Sequence, residues 1–300
     1  MLLSEFWYDE SMADIEEKPV DLYIGCGDRR LNELFDSYEG NIIFIRNAAG
    51  NLKTLEKTIE NKVRENVKSD GTSNIRKIKI FGHTDCGALG IALGNLMGTE
   101  QVSIQMRETL VNQYKNFKID YELSRGENAR RLEKFHVIKQ KSNAKEILGK
   151  IHANTGIDTT KISVKSALLQ THKHDKTETQ LNCEKEDYIA IVGDPIHIPN
   201  YLNIALQAKV NPYSMYCFSV DRNECAGGVE IYAKLGVEKF YVIYEHESEL
   251  PQVSNRLAQV EESVKMVRKD AQVSSLKIED IKRELRTQVR KNPEVRIRAV

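Results

Sequence analysis

Val20-Asp-Leu-Tyr-Ile-Gly25-Cys26-Gly27-Asp28-Arg29-Arg30 is a short apolar strand pattern that runs straight into a cysteine, a carboxylate and two guanidinium groups. On extended chain, residues two apart project to the same side, so Cys26, Asp28 and Arg30 can face one pocket. A second segment, Ile75-Arg-Lys-Ile-Lys-Ile-Phe81, mixes apolar and basic residues as a strand does, then reaches Gly82-His83-Thr84-Asp85-Cys86-Gly87. Gly87-Ala-Leu-Gly-Ile-Ala-Leu93 follows with small and apolar residues at helical spacing, which puts His83 and Cys86 on a strand-to-helix turn. Ligands of open α/β sheets bind at such turns, at the carboxyl ends of strands. The expected fold class is α/β: a mainly parallel β-sheet flanked by helices, with about four or five strands in each half.

Two thiolates and an imidazole are zinc chemistry, and Cys26, His83 and Cys86 are the expected metal ligands. A catalytic zinc site has three protein ligands and leaves the fourth position to water, whereas a structural site is closed by a fourth. The nearby candidate for closing it is Asp28. An acid–base pair, Asp28 and Arg30, beside the first thiolate favours the catalytic reading. The remaining cysteines, Cys183, Cys217 and Cys225, read as buried side chains. His172 and His174, in Thr171-His-Lys-His-Asp175, read as a solvated hairpin tip in preference to a minor metal site.

These residues resemble the β-class carbonic anhydrases. That family has Cys-x-Asp-x-Arg at the end of its first strand and His-x-x-Cys at the end of its third. Between them lies an Arg-Asn-Ala-Gly stretch, matched by Arg46-Asn47-Ala48-Ala49-Gly50. Arg29 stands where the family commonly has Ser or Ala, a departure that touches no ligand position. The match runs from about Asp21 to Leu181, with Ile162–Leu169 as the last strand and Thr171–Leu181 as a terminal hairpin. The resemblance implies Zn2+ as cofactor and reversible hydration of carbon dioxide to bicarbonate by zinc-bound hydroxide, a lyase activity. It also implies that Asp28 serves as a removable fourth ligand, released when it pairs with Arg30. Hydrolysis of carbon disulfide or carbonyl sulfide on the same site, or a non-catalytic zinc-binding role, are the alternatives. No proton shuttle is identifiable.

Residues 1–184 form the expected zinc-binding domain, and 185–300 read as a degenerate second copy without a metal site. Asp187–Asp194 parallels the first strand, with Val192 in the place of Cys26. Ser214–Val220 parallels Asn41–Ile45, and Arg222-Asn223-Glu-Cys225-Ala-Gly227-Gly228 echoes Arg46–Gly50. Val237–His246 parallels the third strand, with His246 for His83 and Glu249 for Cys86. Ile196 replaces Arg30. Helices are expected at 256–269 and 278–290, and a closing strand at 293–300. Both thiolates are gone, so no zinc is expected there. An unrelated α/β domain is the alternative. The resemblance implies dimers with active sites near the subunit interface, so a fused copy predicts an intramolecular pseudo-dimer, with a homodimer of such chains still open.

Lys plus Arg equals Asp plus Glu, at 44 each in 300 residues, so no bulk charge draws the chain to nucleic acid or an anionic membrane. Met1-Leu-Leu-Ser-Glu-Phe-Trp7 lacks a basic region followed by an apolar stretch, so no secretory signal is expected, and no apolar run reaches membrane-span length. Five cysteines, an odd number, suit a reducing interior better than a disulfide framework. A cytoplasmic location is expected.

Overall fold

The computed structural model describes residues 19–28, 31, 41–170, 189–192, 214–215, 222–244, 247–277 and 280. The first sheet comprises β1 (Val20–Cys26), β2 (Ile42–Asn47), β3 (Ile75–His83) and β4 (Ser163–Leu169) in the order β2-β1-β3-β4. Every pairing in it is parallel. Helix α1 (Glu56–Glu65) connects β2 to β3, while α2 (Gly87–Leu96), α3 (Ile104–Thr109) and α4 (Arg125–Thr155) lie between β3 and β4.

Alternation along the strands separates two faces. Leu22, Ile24, Ile78 and Ile80 pack with Ile59 and Val63 of α1 and Ile147 and Ile151 of α4. Tyr23 and Phe81 point the other way, toward Leu89 and Ala92 of α2. At the far end of β1, Asp21 is gripped by Nε and Nη2 of Arg76, at 3.0 and 2.9 Å, which fastens β1 to β3. Helix α4 begins with a capping box between Ser124 and Glu127 and ends at Gly156, whose φ of 73° is left-handed. It lies close over the end of β3 because residue 82 is glycine: a Cβ there would stand 2.4 Å from Val137 Cγ2. That approach brings the middle of α4 to the site.

The second sheet comprises β5 (Ile189–Val192), β6 (Ser214–Met215), β7 (Lys239–Tyr244) and β8 (Gln272–Lys277), ordered β6-β5-β7-β8 and again all parallel. Its strand order thus repeats that of the first sheet. Helix α5 (Arg222–Lys234) joins β6 to β7, and α6 (Leu250–Val267) joins β7 to β8. Val229, Phe240 and Val264 from this part share one buried cluster with Phe81 and Leu89 of the first.

Three expectations need revision. Arg222–Gly228 is not a strand-end turn like Arg46–Gly50, because Arg222 opens the helix α5. The fourth strand of the second sheet is Gln272–Lys277, a segment whose two apolar residues gave little strand signal. The helix placed at 256–269 starts earlier, at Leu250, with Pro251 in its first turn. Segments 171–181, 278–290 (apart from Asp280) and 293–300, with His172, His174, Cys183, Cys217 and His246, lie outside the described residues.

Candidate metal centre

Cys26 and His83 are the last residues of β1 and β3, neighbouring parallel strands, so both sit at the carboxyl edge of the sheet. The chain then turns through Thr84 and Asp85, the latter left-handed with φ 52°, and Cys86 becomes the N-cap residue of α2. The ligand atoms of Cys26, His83 and Cys86 all lie within 4.8 Å of one another, and all three residues are buried. The Sγ atoms of Cys26 and Cys86 are 3.9 Å apart, and both cysteines are free. Two zinc–sulfur bonds of about 2.3 Å meeting at a tetrahedral angle place the sulfurs about 3.8 Å apart, so this spacing suits one metal ion.

The histidine is prepared for the same task. Its Nδ1 lies 2.9 Å from the Thr84 carbonyl, the geometry of a donated N–H, while Nε2 is buried without a hydrogen-bond partner. A backbone carbonyl on one ring nitrogen fixes the tautomer that leaves the other nitrogen's lone pair for a metal. Asp28 follows the strand end, about 20 % exposed, with Oδ2 3.8 Å from His83 Nε2. Arg29 and Arg30 lie outside the described residues.

Burial and charge together call for a cation. The hydrogen bond between the two sulfurs holds the Cys26 thiol well below its usual pKa, and the same bond, with burial, pushes Cys86 well above. One proton is thus shared by two buried sulfurs. Burial alone would lower the pKa of His83, but the Cys26 thiolate and the Asp28 carboxylate outweigh it and the net direction is up. A divalent ion would relieve this crowding by letting both sulfurs ionise and His83 stay neutral. The donor set and its geometry therefore fit zinc.

The supporting residues come from the Arg46–Gly50 motif, to which motif reading assigned no role at the site, and from helix α4. Arg46, buried on β2 beside Gly25, donates from Nε to the Cys26 carbonyl at 3.0 Å and from Nη2 to the Asp28 carbonyl at 2.6 Å. Its guanidinium thereby fixes the backbone that carries the first thiolate and the carboxylate. Gly50, with φ 68°, tucks this loop against β1, since a Cβ there would stand 3.0 Å from the Gly25 carbonyl carbon. The charged stretch from Gln101 to Lys150 also reaches the site, where α4 delivers Glu133 and His136. Burial raises the pKa of Glu133, and it receives backbone N–H groups of Asp85 and Cys86. His136 packs behind the cluster with Tyr114, whose hydroxyl lies 2.5 Å from His136 Nδ1. The apolar spacing of α4 could have placed these residues inward; it could not have said against what.

The model of the carbonic anhydrase family matches residues 21–175, just over half of the chain. The chain belongs to this family, in its β class, and the matched stretch holds all three residues of the cluster. Among solved structures, the chain is similar to the β-carbonic anhydrase CafA of Aspergillus fumigatus, at 23 % identity. That match covers 52 % of this chain and 72 % of the other, with a TM-score of 0.34. A second similar structure is one of two tetrameric β-carbonic anhydrases from Sordaria macrospora, at 18 % identity and a TM-score of 0.32, covering 52 % of this chain and 78 % of the other. No curated protein matched the chain in a sequence search. No helix among the described residues is long and apolar enough to cross a membrane.

Proposed function

We propose that the chain is a zinc enzyme that hydrates carbon dioxide reversibly to bicarbonate, with Cys26, His83 and Cys86 as ligands and Asp28 and Arg30 as the catalytic pair. The observation that carries this reading is the buried Cys26–His83–Cys86 cluster with an unpartnered Nε2 and a carboxylate at its mouth. Zinc held by Cys26, His83 and Cys86 would acidify a water in its open position, from a pKa of about 15.7 toward about 7. Asp28, with its carboxylate at the mouth of the cluster, would accept the hydrogen bond that orients such a water, and Arg46 holds the Asp28 backbone in place. In this reading Arg30, two residues on, would pair with Asp28 and release it from the metal, as the family resemblance implies. Thr84 holds the His83 ring, and the thiolates supply the negative charge that retains the metal.

In the same reading, residues 1–184 are the zinc domain and 185–300 a metal-free copy of it that takes the place of a second subunit. The repeated strand order supports this, as does Glu249, the N-cap of α6, standing where Cys86 stands at the N-cap of α2. The location proposed is the cytoplasm.

Stopped-flow measurement of carbon dioxide hydration tests the activity. The purified zinc-loaded chain should accelerate hydration, and Asp28→Ala should reduce kcat/KM about a hundredfold with zinc retained, the scale of losing one positioned proton-handling group. A zinc-loaded chain without hydration activity would move the reading to carbonyl sulfide or carbon disulfide, or to a non-catalytic role.

A further inference from the structure

We infer that α5, in the second part of the chain, sets the geometry of the metal loop through α3, with Asn51 as the positioning residue at the junction. This rests on the zinc reading of the Cys26–His83–Cys86 cluster. Helix α3 is only six residues long, Ile104–Thr109, far below the length at which a helix holds in isolation, so its position is decided by what it packs on.

Helix α5 grips both ends of it. Gly227 is buried against the last turn of α3, where a Cβ would stand 2.2 Å from Thr109 Oγ1 and 2.8 Å from the Gln105 carbonyl oxygen. At the first turn, Ser103 caps α3 by accepting the Met106 N–H at 3.0 Å and donates its hydroxyl proton to the carboxylate of Glu230.

From α3 the contact passes into the site. The Thr109 carbonyl accepts the Asn51 side-chain amide at 2.5 Å. Asn51 donates its backbone N–H to Asn47 Oδ1 at 2.7 Å, and Asn47 Nδ2 donates back to the Asn51 carbonyl at 2.8 Å. The Asn47 carbonyl accepts the N–H of Gly27 at 2.9 Å, the residue between Cys26 and Asp28. Asn51 is buried, so a displaced Thr109 carbonyl strands a buried donor that only a shift of the Asn47–Asn51 loop can satisfy.

The test is zinc affinity of the full chain, read by competition with a chromophoric chelator, beside the thermal unfolding midpoint. Gly227→Ala should bind zinc about tenfold more weakly, the low end of the range for losing support behind metal ligands. Adding Thr109→Ala, which removes the Oγ1 and Cγ2 clashes but leaves the Gln105 carbonyl oxygen 2.8 Å from the new methyl, should restore part of that loss. A folded Gly227→Ala with unchanged affinity overturns the inference, as does a loss that Thr109→Ala fails to relieve. If Gly227→Ala does not fold, Glu230→Ala takes its place: it frees the Ser103 end of α3 and should weaken zinc in the same direction. Unchanged affinity there counts against the coupling. A wild-type chain that binds no zinc would overturn the metal reading itself, an outcome distinct from wild-type-like affinity in the variants.

Discussion

Burial holds the His136 imidazole neutral, lowering its pKa from the ordinary 6.5 to about 4, and stability should register this. Well above pH 6.5 the ring is uncharged whether the chain is folded or not, and it makes no difference. As the pH falls from 6.5 toward 4, the unfolded chain takes up a proton that the folded chain refuses, so unfolding becomes easier by up to about 3 kcal/mol. Denaturant unfolding across that range should show the decline, and His136→Asn, which cannot charge, should flatten it; an equal slope in both would refute the assignment. At this scale the sequence was most legible where chemistry is local. Cys26, Asp28, His83 and Cys86 stand in two short segments, and the structure brings them together. Arg46 and Glu133 were not legible as supports. Their partners depend on the register of β2 and on how α4 crosses β3, neither of which is written near those residues.

Helix α4 crossing the end of β3 is the element-scale contact that shapes the back of the site. Gly82→Ala would drive a methyl to 2.4 Å from Val137 Cγ2, and a β-branched side chain has little freedom to move aside. The substitution should cost about 1–3 kcal/mol in urea unfolding, as overpacking does, and Val137→Ala in the same chain should recover part of it. No loss in the single variant would mean that α4 does not approach β3 this closely. The strands β1, β3 and β4 were readable because apolar residues recur in them at strand spacing. Strand β8 was not, since Val273 and Leu276 are its only apolar side chains and its place is decided by pairing with β7. Arg222–Gly228 misled for another reason: a few shared letters with Arg46–Gly50 carry no backbone information, and here the same letters start a helix.

Across the whole molecule the two sheets repeat one strand order and share one buried cluster, so they should unfold together. Leu235 at the end of α5 lies where a Cβ on Gly87, the residue after Cys86, would stand 2.7 Å from it, so the two parts meet beside the proposed metal. Calorimetry of the full chain should give a single transition; two well-separated transitions would contradict a shared core. Length and the order of motifs made the first sheet predictable, while the closeness of the second depends on glycines whose partners lie more than a hundred residues away. The central claim is a single zinc held by Cys26, His83 and Cys86, and its most direct test is the metal content of the purified chain beside Cys86→Ser. The account predicts one tightly bound zinc per chain, lost or greatly weakened in the variant. Two tightly bound ions, or full retention without the Cys86 thiolate, would contradict it.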